Sequence, residues 1–155
     1  MLDHDEMQTM TFYGVVLTIL IIATGLFTDT QYQTQRVSDY ATLDSLSRSF
    51  LVYRSAAAEF AQSNQGFSGT PNDSALNLPA WFVKPVGVAS YITAGTTYTY
   101  FNGVAPAGMP STLVELTQST VVGVKRSGVL ISPVSGATGI TIPPAVPEGA
   151  IVAVN

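Results

Sequence analysis

Residues Met10 to Phe27 read MTFYGVVLTILIIATGLF, an uncharged and mostly apolar run of about the length that crosses a bilayer as one helix. Nine residues precede the run and 128 follow it, so it is expected to anchor one downstream domain. The competing reading is a cleaved signal peptide, with Ala23, Thr24 and Gly25 as small residues at a cleavage site. A secretory signal needs a basic leading segment, whereas residues 1–9 contain Asp3, Asp5 and Glu6 and no Lys or Arg. The expected organisation is a short acidic tail at 1–9, a transmembrane helix at 10–27, an amphipathic stalk helix at 28–64 and a globular domain at 65–155. Orientation is not settled by charge. The nearest basic residue is Arg36, beyond the run, which votes for a cytoplasmic domain, yet a large downstream domain translocates largely regardless of such charges.

Composition removes several function classes. The formal charge is -4, and the bases Arg36, Arg48, Arg54, Lys84, Lys125 and Arg126 are scattered, without the stripe that phosphate neutralisation requires. Nucleic acid is not an expected partner. The chain has no cysteine, and its one histidine is His4 in the acidic tail. Thiolate chemistry, a Ser-His-Asp triad and a histidine metal cluster are therefore not available to the domain.

From Asp29 to Asn64 the chain contains no Gly or Pro and is expected to continue as helix. Leu43, Leu46, Phe50, Tyr53, Ala57 and Phe60 recur at steps of three and four, which places them on one face. That stripe can pack on the domain's own sheet or serve as a coiled-coil seam, although its heptad register runs only from Leu43 to Phe60 and meets Arg36 one heptad earlier. Within the apolar run, Thr11, Gly14, Thr18 and Gly25 share a second face of small residues, which would let another helix approach closely.

After Asn64 the composition shifts to GFSGTPNDSALNLPAWFVKPVG, the Gly, Pro, Asn and Ser of a long structured connection. ASYITAGTTYTYF and STVVGVKRSGVLISP each read as a β-hairpin, turning at Ala94-Gly95 and around Lys125-Arg126-Ser127-Gly128, with the basic tip solvated. Between them, a short helix is expected near Met109 or Ser111, with Glu115 as its first-turn acid. Two β-rich pieces flank Pro143, Pro144 and Pro147, which themselves exclude a central strand. The fold class is α+β: an N-terminal transmembrane helix continuing into a long amphipathic helix, then a mainly antiparallel β domain with one short helix.

Few residues invite chemistry. Asp73, Glu115 and Glu148 are the only acids beyond the long helix; each sits beside turn residues or near a helix start and is expected to cap or turn the chain. Asn72-Asp73-Ser74 matches a glycosylation sequon and is read as a turn. Gly123 and Gly128 lack the spacing and context of a phosphate-binding loop. No catalytic, cofactor or metal site is expected. Trp81, Phe82 and the hairpin tyrosines are expected mainly in the core, while the NDSALNLPAWFVKP loop is where an exposed recognition loop would lie.

The order of one N-terminal span, then SFLVYRSAAAEFAQSNQGFSG, then TYTYFNGVAPAGMPSTLVELTQSTVVGVKRSGVLISP, then ITIPPAVPEGAIVAVN resembles the PilM family of type IVb thin-pilus systems, known from conjugative plasmids. This family is distinct from the actin-like cytoplasmic protein of the same name. The resemblance implies a small, single-pass protein of the bacterial inner membrane, with its C-terminal domain in the periplasm. It further implies a non-enzymatic role in the pilus basal body or in pilin transport, without a cofactor. Other pilus assembly proteins or the pilin are the implied partners, and a homo-oligomer is compatible with it. A pilin-like filament subunit is the alternative, but prepilins resemble one another in a glycine just ahead of the span and a glutamate within it. Here no glycine precedes the run, and Glu6 lies outside it. A small envelope hydrolase is the third class, disfavoured by the histidine-free domain.

Overall fold

The computed structural model describes residues 37–155 and, ahead of them, Leu17 alone. The expected acidic tail, the expected span with Thr11, Gly14, Thr18 and Gly25, and the start of the stalk otherwise lie outside the described residues. Among the described residues no helix is long and apolar enough to cross a membrane. The chain divides into two compact units, Met1–Ala41 and Thr42–Asn155. In the first, the described residues are Leu17 and 37–41, all helical.

Helix α1 covers residues 37–63 and, from Thr42 on, belongs to the second unit. Its buried face holds Leu43, Phe50 and Tyr53 and then Ala56, Ala57, Ala58 and Ala61. Alanine is the strongest helix former, and its small side chain lets the backbone of the last turns approach the sheet. The helix ends where Asn64 bonds the Phe60 carbonyl twice, through its backbone N–H at 3.0 Å and its side-chain amide at 2.9 Å. The chain then turns through Gly66, and Phe67 meets Phe60 edge to face at 5.1 Å.

Six antiparallel strands follow: β1 (Val88–Thr93), β2 (Thr96–Phe101), β3 (Val122–Arg126), β4 (Val129–Ser132), β5 (Gly136–Thr141) and β6 (Ile151–Val154), in the sheet order β1-β2-β6-β3-β4-β5. The first hairpin turns at Ala94-Gly95 and the second at Ser127-Gly128, all four residues having positive φ. That is the two-residue turn whose twist matches the strands it joins. Helix α2 (Met109–Thr117) lies between β2 and β3. It differs from the expected helix: Gly108, at φ 86°, caps it without a side-chain bond, and no acid lies in its first turn. Pro110 fits the first turn because its missing N–H is unpaired there in any case, which moves Glu115 towards the other end.

Strand alternation assigns two cores to the two sheet faces. Val88, Phe101, Val122, Ile151 and Ala153 face α1 and α2, packing with Phe50, Tyr53, Met109 and Leu113. Leu130, Val152 and Val154 face the other way, under Ile142, Val146 and Ala150 of the proline-rich segment. The terminal piece after the prolines becomes β6, a central strand buried at all four positions. Ser90 and Thr99 sit on the α1 side, their hydroxyls paired at 2.8 Å, while Tyr91, Tyr98 and Tyr100 lie half-buried on the opposite face.

The tip of the second hairpin corrects the expectation of a solvated basic pair. Arg126 is exposed, but Lys125 is only 4% exposed. Val122 and Val124 point to the helical face, so Lys125 points to the other, where the 143–149 segment crosses it. Its ammonium donates to the carbonyls of Pro143 at 3.1 Å and Val146 at 2.7 Å. Glu148 stands 3.4 Å from it and accepts from the Gly128 N–H at 3.0 Å, tying the turn to the segment.

Candidate interaction surface

The stalk stripe lies inside the second unit. Leu43, Phe50, Tyr53 and Ala57 are buried, and Leu46 and Phe60 are partly buried against the same core. With Phe50 and Tyr53 fully buried against the sheet, neither is available as a knob for a partner helix. The outward face of this stretch carries Asp44 and Arg48, bridged at 2.8 Å, and Glu59, which accepts from the Asn77 side-chain amide at 3.4 Å.

Tyr53 reaches beyond the stripe to fasten the long connection. Its hydroxyl donates to Asp73 Oδ1 at 2.7 Å. Lys84 donates to both Asp73 oxygens, at 2.9 and 2.8 Å, and its ammonium lies 4.8 Å from the centre of the Tyr53 ring. Phe82 stacks on the same ring at 6.5 Å. Asn72 Oδ1 accepts from the Ser74 N–H at 3.1 Å and caps the 3-10 turn Asp73–Ala75, so this stretch is the turn expected of the sequon. Burial pushes the Tyr53 hydroxyl well above the usual phenol range, and the Asp73 carboxylate adds to the rise. For Asp73, partial burial pulls upward, but the Lys84 ammonium and the Tyr53 hydroxyl outweigh it and hold the carboxyl below its ordinary range. The arrangement stabilises a charged carboxylate and a neutral phenol, and so acts as a latch between α1 and the 72–84 stretch.

The other acids also have structural surroundings: Glu148 braces the Lys125 turn, and Glu115 is exposed near the end of α2. Among the described residues no three His, Cys, Asp or Glu side chains are grouped to hold a metal ion. The C-terminus is fastened as well, since Arg54 donates to the Val154 carbonyl at 2.8 Å and to the Asn155 side chain at 3.0 Å.

Trp81 departs from the expected core role. Phe82 is packed inward, and Trp81, in edge contact with it at 6.3 Å, is turned outward and is 72% exposed. Phe82 takes the place beside Tyr53. Val83, Val86 and Val104 are exposed to 82%, 96% and 100%. The two loops that carry them meet where the Asn102 N–H donates to the Gly87 carbonyl at 3.1 Å, an approach so close that a Cβ at Gly87 would lie 3.0 Å from the Gly103 nitrogen.

The PilM family profile matches residues 16–154. The chain belongs to the PilM family. The crystal structure of a PilM protein from Pseudomonas aeruginosa 2192 is 50% identical over 73% of this chain and 92% of that one, with a TM-score of 0.48. A PilM protein from Escherichia coli B7A is 19% identical over 75% of this chain and 93% of that one, with a TM-score of 0.57, a likeness of fold. No functionally curated protein matches.

In this PilM-family chain the matched region takes in the second unit up to Val154 and more than half of the apolar run. Sequence reasoning missed the exposed valines and the buried Lys125. One signal was present for the first: between Asp73 and Glu115 there is no acidic residue, and that acid-free stretch includes both exposed loops. For Lys125 the strand alternation was legible, but the segment that covers it was not.

Proposed function

We propose that this chain is a non-enzymatic, single-pass component of a type IV pilus assembly apparatus in the bacterial inner membrane. Residues 10–27 form its anchor, and the Thr42–Asn155 unit stands in the periplasm as a scaffold for the basal body or for pilin transport. The observation that carries this reading is the family match over residues 16–154, which takes in the larger part of the apolar run together with the folded unit. The titratable groups of the unit support a structural role, because Asp73, Lys84 and Tyr53 are engaged with one another and Lys125 with the 143–149 segment.

The anchor confines the domain to a thin layer at the membrane, which raises its effective concentration towards other membrane-bound subunits. The small-residue face of Thr11, Gly14, Thr18 and Gly25 is the surface by which a partner span would approach. Gly14→Leu with Thr18→Leu is expected to lower pilus assembly and the recovery of inner-membrane assembly proteins, while membrane insertion is kept. A tag for that recovery belongs after a spacer beyond Asn155, whose backbone pairs with Thr97 at 2.9 and 3.0 Å. Recovery chiefly with pilin in sheared filaments would refute the scaffold reading.

A further inference from the structure

We propose that residues 143–149 form a lid, hinged at Ile142 and Ala150, that lifts from the sheet as a unit while the rest of the domain stays folded, with the Lys125 ammonium as its clasp. Its opening bares an apolar cleft on the sheet face away from the helices.

The two hinges are fixed. Ile142 and Ala150 are each 2% exposed, and both are bonded to the second hairpin: the Ile142 N–H donates to the Gly128 carbonyl at 2.8 Å, and the Ala150 carbonyl accepts from the Lys125 N–H at 2.9 Å. The stretch between them is held more lightly. Pro143, Pro144 and Pro147 have no N–H to give, and the Val146 N–H turns back to the Pro143 carbonyl at 3.1 Å. Among the described residues, the one backbone bond from 143–149 to the sheet is that of the Gly149 N–H to the Lys125 carbonyl, at 3.0 Å. Pro144, Ala145, Pro147, Glu148 and Gly149 are exposed, and Val146 alone is fully buried.

Closure therefore rests on one valine side chain and one ammonium. Lys125 donates to the Pro143 and Val146 carbonyls, while Glu148, 3.4 Å away and with its side chain 56% exposed, adds little in water. A buried ammonium has given up its hydration, which two carbonyls replace only in part. When the lid lifts, water takes their place, so opening is far less costly than unfolding the whole domain. Val146 packs with Leu130, Val152 and Val154, and Tyr91, Tyr98 and Tyr100 pack against the same cluster. Withdrawal of Val146 thus leaves an apolar cleft with tyrosines beside it.

The chain has no cysteine, so a single introduced thiol reads one position. Val146→Cys reports on the lid, Leu130→Cys on the floor beneath it and Val122→Cys on the core of the helical face, all three positions being fully buried. In the full chain in detergent micelles, iodoacetamide is expected to alkylate Val146→Cys and Leu130→Cys at similar rates, at least about 100-fold faster than Val122→Cys. The two fast rates should be nearly flat in low urea, because little surface opens, whereas the Val122→Cys rate should rise with the slope of global unfolding. Lys125→Met is expected to speed labelling of Val146→Cys by about tenfold, with the far-ultraviolet circular dichroism unchanged. Labelling of Val146→Cys at the Val122→Cys rate, with the same urea slope, would overturn the lid. Fast labelling of Val146→Cys with Leu130→Cys as slow as Val122→Cys would overturn the cleft. An unchanged Val146→Cys rate in the Lys125→Met background would overturn the clasp. The comparison of the three thiols needs no change at Lys125, so it decides on the lid even where Lys125→Met fails to fold.

Discussion

The Tyr53–Asp73 bond offers a quantitative test of the packing logic, because each partner can be removed separately. Tyr53→Phe deletes one hydroxyl that is buried and donates to a carboxylate at 2.7 Å. Hydrogen bonds to charged groups contribute about 1.5–3 kcal/mol. Asp73 retains Lys84 and its side chain is 47% exposed, so water competes and the expected loss is at the low end, about 1–1.5 kcal/mol. Asp73→Ala leaves the phenol buried without an acceptor, costing about 1–3 kcal/mol; the lost Lys84 pair, itself partly exposed, adds at most about 1 kcal/mol. A double-mutant cycle should therefore return a coupling of about 1 kcal/mol between the two positions. Thermal and urea unfolding of the full chain in detergent micelles would measure it, with each kcal/mol moving the midpoint by about 4 °C for a domain of this size. Trp81 emission should report loosening of the 79–87 loop before the helix signal is lost. A coupling below about 0.3 kcal/mol, within the scatter of independent sites, would refute the latch.

The same pair sets two pH limits. The folded Asp73 pKa is depressed, so its contribution is present above the ordinary carboxylate value of about 3.9 and is lost as pH falls through the folded value; Lys84→Met should weaken this acid dependence in pH-resolved melts. The folded Tyr53 pKa is raised, so the native state keeps a proton that the unfolded chain has lost above about pH 10. Stability should then fall with rising pH in the parent and less steeply in Tyr53→Phe. Gly123→Ala would place its Cβ 2.6 Å from the Ile131 carbonyl carbon and 2.9 Å from the Ser132 Cα. Backbone cannot yield there cheaply, so about 3 kcal/mol should be lost, seen as a lower urea midpoint. Lys125→Met keeps the volume but removes the donor to the Val146 carbonyl and one of two donors to the Pro143 carbonyl, which still accepts from the Val146 N–H at 3.1 Å, and should cost about 1–3 kcal/mol, with faster amide exchange in 143–149. Ser47→Ala should instead stabilise the chain by about 1 kcal/mol, since the Ser47 hydroxyl is fully buried without a hydrogen-bond partner; a lower melting temperature would count against that assignment.

Local pattern was enough wherever the information lay within one turn or one strand. The three-and-four spacing of Leu43 to Phe60 defined the buried face of α1, and Ala94-Gly95 and Ser127-Gly128 sit where the two-residue turns form. The two hairpins and the antiparallel class were legible for the same reason, as side-chain alternation is a property of neighbours in the chain. The start of α2 was less legible, because Gly108 provides its left-handed cap through backbone geometry and not through a side-chain acceptor.

Placement in the sheet was a different matter. That the last four strand residues slot between β2 and β3, and become the most enclosed strand, depends on contacts with residues more than twenty-five positions earlier. No local pattern encodes those contacts. The same long-range crossing buries Lys125 under the 143–149 segment, a position that a hydrophilic residue beside a turn would not suggest. Phe82 wins the place against Tyr53, which turns Trp81 outward, and the choice between two adjacent rings is made by the site that receives one of them. By itself, the sequence determined the element types within residues 42–155, the turn positions and the family, because these follow from composition and spacing along the chain. Only the tertiary structure decided the strand order, the buried ammonium and the exposed loop end, because each depends on which distant segment covers which side chain.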